Sequence, residues 1–144
     1  LIQLNRHHEA ILAFNKAAEL KPNDASIYYR LGQTLLVIHK YPEALDALNK
    51  SIALDPRSQK SYIAKGISLY AQKQYLESIK AYDSGLRMEP LDSEAYFYKG
   101  KALEKIGNNN EAIKAYEKAL KHSPNYKTAK TALEYLQNKN KTVS

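Results

Sequence analysis

The sequence predicts an all-α solenoid, a stack of helical hairpins built from one copied unit. Three observations lead there. Pro22, Pro56, Pro90 and Pro124 stand 34 residues apart. Within each period, apolar residues fall into two runs with three-and-four spacing, the pattern of two amphipathic helices. A glycine recurs at one fixed place, as Gly32, Gly66 and Gly100. A fixed period of this length marks one supersecondary unit that buries its apolar face only by stacking on its neighbours.

The frame gives an incomplete unit over residues 1–24, full units over 25–58, 59–92 and 93–126, a terminal helix over 127–140 and a tail over 141–144. In the first stretch Ala10, Phe14, Ala17 and Pro22 match a unit's second helix, expected over 8–21. Leu1 falls at the eleventh place, so most of that unit's first helix is missing. The face holding Ile11 and Phe14 is therefore expected to lie open, to be covered by upstream chain or by a second copy of the protein.

Each full unit repeats its large and small side chains in register. The fourth place is Tyr28, Tyr62 or Tyr96, and the eleventh is Leu35, Leu69 or Leu103. The twentieth is Ala44, Ser78 or Ala112, the twenty-fourth Leu48, Tyr82 or Tyr116, and the twenty-seventh Ser51, Gly85 or Ala119. Glycine inside a helix costs about 1 kcal/mol relative to alanine, so three in register imply a steric need. We expect the first helix to sit on the second at these glycines, with the small residues at the twentieth place supplying the gap. Asp24, Ser58 and Asp92 precede the first helices and suit N-caps. Pro42 belongs in the first turn of a second helix, Gly107 at a left-handed helix end, and Asn108, Asn109 and Asn110 in the turn that follows. In the terminal helix, Ala129, Ala132, Leu133 and Leu136 form the covering stripe. Lys130, Glu134 and Gln137 make the outer face polar, as a cap requires.

Composition excludes several classes of function. No cysteine is present, which removes disulfides and thiolate metal sites. No apolar run has the length of a membrane span, and the opening LIQLNRHHEAIL lacks the pattern of a signal peptide. The net charge of +7 is concentrated toward the end, with +3 in residues 127–144. Those lysines are scattered and no arginine accompanies them, so they read as a solvated surface rather than a nucleic-acid footprint. His7 and His8 are adjacent and diverge by about 100° on a helix, while His39 and His122 stand apart, so no metal site is expected. No phosphate loop, serine elbow or carboxylate–histidine grouping appears, and no cofactor or catalytic activity is expected.

The Tyr–x–x–x–Gly–x–x–Leu core, the small residue at the twentieth place and the closing proline together resemble the tetratricopeptide repeat. The resemblance covers nearly the whole chain. It departs from the family pattern where tyrosine replaces a frequent tryptophan and where Asn109 replaces the aromatic seen at Tyr41 and Tyr75. The resemblance implies a right-handed superhelix whose first helices line a concave binding face. The groove positions it implies are Tyr29, Arg30, Gln33, Lys60, Ile63, Ile67, Tyr70, Phe97, Tyr98 and Lys101, an aromatic and apolar floor bordered by Arg30, Lys60, Lys101 and Lys105, with Glu94 and Glu104 among them. The places that clamp a chaperone's C-terminal carboxylate in one branch of the family hold Tyr29, Gln33, Ala64, Glu94 and Tyr98 here, so that mode is not expected. Nor is the asparagine ladder of another branch, because its row reads Arg30, Ala64, Tyr98. The resemblance thus implies a scaffold that takes a peptide or helix of a protein partner, in the cytoplasm. The alternative is a structural segment of a longer solenoid, or a unit that self-associates through its open N-terminal face.

Overall fold

In the computed structural model, which describes residues 1–143, eight helices follow one another and no strand is present among the described residues. They are α1 (Ile2–Leu20), α2 (Ala25–Val37), α3 (Tyr41–Leu54), α4 (Gln59–Ala71), α5 (Tyr75–Met88), α6 (Ser93–Lys105), α7 (Asn109–His122) and α8 (Lys127–Val143). The bounds of α2 and α3 recur 34 residues later in α4 and α5, and again in α6 and α7. The tightest pairs are α2 with α3, α4 with α5 and α6 with α7. Each pair packs on the next, α1 covers α2 and α8 covers α7. The first helices also touch in turn, α2 with α4 and α4 with α6. They form one continuous wall.

The turns repeat in atomic detail. After each first helix the chain closes a Schellman motif. The Lys40, Gln74 and Asn108 amides each donate to the buried leucine carbonyl at the eleventh place, all at 2.9 Å. The residue before each of these amides is left-handed, at His39 (φ 62), Lys73 (φ 63) and Gly107 (φ 80). Only the third unit uses the residue suited to it. Each second helix ends on an extended residue, Asp55, Glu89 or Ser123, with ψ of 83–88. The following proline imposes that conformation. Pro42 lies in the first turn of α3. The Asp24 and Asp92 side chains accept from the Ser26 and Ala95 amides, capping α2 and α6. Ser58 differs from expectation: its hydroxyl bonds the Ser61 hydroxyl at 2.9 Å and caps no amide. Asn108 is the cap of α7, accepting from the Glu111 amide, so Asn109 and Asn110 are already helical.

The glycines do allow close approach, but their neighbour is not the expected one. A Cβ built on Gly32 would lie 2.7 Å from Leu48 Cγ. One on Gly100 would lie 2.5 Å from Tyr116 Cε1, and one on Gly66 equally close to Tyr82 Cδ1. The glycine receives the large side chain of the twenty-fourth place, not the small one of the twentieth. Tyr82 and Tyr116 are 1% and 0% exposed, laid across bare backbone. Ala44, Ser78 and Ala112 are buried as well, in the same interface. Gly85 has its own occupant, since Ile63 Cδ1 would stand 2.6 Å from an added Cβ.

Two departures concern the ends. α1 runs unbroken from Ile2, through the residues placed before its expected start at residue 8. Ile11 and Phe14 are not left open. They are half-buried against Leu31, Leu35, Ala44 and Ala47. The uncovered apolar side chains of α1 are others, among them Ile2 (73% exposed) and Leu12 (70%). At the other end, Ala129 and Leu136 are buried, and Ala132 and Leu133 pack on the cluster around Tyr116. Helix α8 continues through Lys141 and Thr142, which the sequence frame assigned to the tail; Ser144 lies outside the described residues.

Candidate functional site

The wall of α2, α4 and α6 encloses a groove of 590 Å³. Six of the expected positions line it together: Tyr29 and Gln33 from α2, Lys60, Ile63 and Ile67 from α4, and Tyr98 from α6. Leu36 and Val37 close it at the α2 end, and Ala64 lies in its floor. These positions converge because residues four apart share a helix face. The glycine of each hairpin seats the same helix on its partner.

Arg30, Tyr70, Phe97 and Lys101 do not line this groove. Arg30 and Lys101 are exposed elsewhere on their helices. Tyr70 packs edge-on against Tyr75, with ring centroids 5.3 Å apart. Phe97 is absorbed into an aromatic cluster with Tyr98, Tyr116 and Tyr126, at 5.8, 5.8 and 5.2 Å. Its fate follows from the last residue of each unit. Ser58 and Asp92 hold that place in the first two units and leave Tyr29 and Ile63 accessible. Tyr126 holds it in the third, and its ring covers Phe97.

The groove's polar groups are less basic than the border expected, which set Glu94 and Glu104 among four basic residues. Its charged lining residues are Lys60, Asp92 and Glu94. Asp92 accepts from Gln59 Nε2 at 2.5 Å across the α4–α6 junction while capping α6. The field of these carboxylates reaches the aromatic floor. The Tyr98 hydroxyl titrates above its ordinary value, first because burial disfavours the phenolate and then because Glu94 and Asp92 repel it. Tyr29 is raised by burial alone. Tyr98 stacks on Tyr82 at 6.0 Å, so its ring is anchored from behind. Gln59, Asp92 and the Gly85–Ile63 contact were not legible as groove features. Gln59 and Asp92 stand at unit boundaries rather than on the helix face that the repeat frame selects.

Among the described residues, no group of three His, Asp or Glu side chains is placed to hold a metal. No helix is long and apolar enough to cross a membrane.

Paired helices stacked into a cupped wall define an α-solenoid scaffold, and sequence profiles narrow the class. Tetratricopeptide repeat profiles match residues 63–127 and 25–58, and a TPR repeat profile matches 1–36. The chain belongs to the tetratricopeptide repeat family, and so to a class of protein-interaction scaffolds. No curated protein matches its sequence. Among solved structures it is similar to a crystal structure of MamA (TM-score 0.91, 23% identity), covering 96% of this chain and 81% of that one. MamA 41-end from Desulfovibrio magneticus RS-1 is also similar (TM-score 0.89, 22% identity, 97% and 79% covered). So is the first TPR of Spaghetti (RPAP3), solved bound to an HSP90 peptide, SRMEEVD (TM-score 0.77, 22% identity, 79% and 90% covered). At these identities the likeness is one of fold.

Proposed function

We propose that this chain is a docking module whose concave groove takes a short segment of a protein partner. The observation that carries the reading is the convergence of Tyr29, Ile63, Ile67 and Tyr98 on one open groove. Aromatic and aliphatic anchors of this kind dominate binding energy at interfaces. The first helices pack into one continuous wall, and a wall formed before the partner arrives loses little entropy on association. Further support comes from the RPAP3 repeat, whose structure holds a peptide. An acidic tail like that peptide's is not the expected ligand here, because Glu94 stands at a place where a carboxylate clamp needs a donor.

The test is panning of a phage-displayed dodecapeptide library against the whole chain, then binding of the enriched peptides to the Tyr29→Ala, Tyr98→Ala double variant. Affinity should fall at least tenfold, with the helical circular dichroism signal retained. Unchanged affinity in the folded variant contradicts the groove. Ile63 is a poorer probe, because its side chain also fills the space over Gly85.

A second reading, self-association, is favoured by the apolar side chains that α1 leaves uncovered, among them Ile2, Leu12 and Leu20. Sedimentation at two protein concentrations separates the two. A concentration-independent monomer removes self-association and leaves the docking module.

A further inference from the structure

The groove's charge runs against that of the chain. The protein carries +7, yet the edge formed by the starts of α4 and α6 is acidic. Asp92 and Glu94 line the groove there. A second hollow of 580 Å³ continues outward from it, sharing Gln59, Lys60 and Asp92 and adding Glu89. Along that edge three carboxylates face one ammonium. Glu89 and Glu94 have no ion-pair partner among the described residues, whereas Glu77, Asp83 and Glu111 each hold a lysine. The negative field also reaches beyond the edge: Glu94 and Asp92 contribute to holding the hydroxyls of both Tyr98 and Tyr126 above their ordinary range, after burial. The other ends of the same first helices are basic, with Lys73 just past α4 and Lys101 and Lys105 in the last turns of α6. Glu104, in the last turn of α6, accepts a hydrogen bond from the Tyr116 hydroxyl.

We propose that the groove selects segments that carry a lysine or arginine beside an apolar anchor, the cation lying on the Asp92–Glu94 edge while the anchor fills the space between Tyr29 and Tyr98. The proposal rests on the docking reading above and specifies its ligand. A cation there meets two carboxylates beside a low-dielectric aromatic floor. An acidic segment would meet the same charges as repulsion, and specificity arises as much from that penalty as from the attraction. Asp92 is already oriented by Gln59 and by the α6 cap, so it needs little rearrangement to accept a further donor.

The experiment is the same library panning, run in parallel on the wild-type chain and on Glu94→Lys and Glu94→Gln. Glu94 is exposed in the first turn of α6, so both variants should fold, which melting curves verify. The wild type should enrich sequences with an apolar residue flanked by Lys or Arg. Glu94→Lys should retain the apolar residue and lose the basic one. A synthetic peptide from the wild-type selection should bind Glu94→Lys on the order of tenfold more weakly, with Glu94→Gln in between, and rising salt should narrow the difference. Enrichment of apolar sequences without charge preference overturns this inference and leaves the docking reading standing. So does a basic bias that survives Glu94→Lys. Enrichment of acidic sequences overturns it as well. If no sequence family emerges from the wild type, both readings fall.

Discussion

Gly66 and Tyr82 show how much one pair of residues determines here. The period in the sequence made a close approach at Gly66 legible, because a mid-helix glycine has a cost that must be offset. It did not reveal which side chain arrives, since that depends on how the two helices rotate about their axes. The ring of Tyr82 fills the space, and being fully buried it has nowhere to retreat. Gly66→Ala should therefore destabilise the fold by about 1–3 kcal/mol, read as a lower urea midpoint, despite alanine's better helix propensity. In a Tyr82→Leu background the same change should cost less. Gly32→Ala faces a branched aliphatic chain rather than a ring and should cost less than Gly66→Ala. Tyr116 adds a pH dependence. Burial, then its hydrogen bond to Glu104, then that carboxylate's charge hold its hydroxyl well above the ordinary tyrosine value. A phenol whose pKa is raised on folding keeps its proton longer in the folded chain than in the unfolded one. Its stabilising contribution is complete below about pH 10 and is lost as pH rises beyond it. Thermal melts from pH 8 to 11 should show stability falling above pH 10, with a shallower fall in Tyr116→Phe.

The helices were largely legible because their breakers repeat. Proline, the left-handed helix end and the N-cap recur every 34 residues and set the same bounds each time. Where the breakers are absent the reading failed. Nothing in Ile2–His7 stops a helix, so α1 extends to the start of the chain instead of turning where the repeat frame would place a turn. The left-handed position after each first helix makes the most direct test at this scale. Lys73 occupies it with φ 63 and is exposed. Side chains pay roughly 1–2 kcal/mol for that conformation. Lys73→Gly should raise stability by about 1 kcal/mol, seen as a higher melting temperature. The corresponding change at His39 should gain less, because its ring Nδ1 and the Tyr41 hydroxyl share a 2.6 Å hydrogen bond that would be lost.

At the scale of the whole molecule, nested hairpins turn one face of every first helix inward, and the groove is what remains between them. Six of the ten positions from a frame that treats all units alike line one hollow. Phe97 and Tyr70 stand outside it where units differ. Tyr126 closes over Phe97, Tyr75 takes Tyr70, and boundary residues Gln59 and Asp92 enter from outside the helix face that was considered. The acidic edge was only partly legible: Glu94 stood among the expected groove positions, but Glu89 and Asp92 belong to the turn between α5 and α6, which the helix-face frame leaves out. The most direct measurement of the central claim is an amide chemical-shift map of the labelled chain titrated with a peptide from the library selection. Shifts are predicted to cluster on the inner wall, at Tyr29, Gln33, Ile67, Glu94 and Tyr98. Shifts confined to the second helices α3, α5 and α7, or to α1, would contradict it.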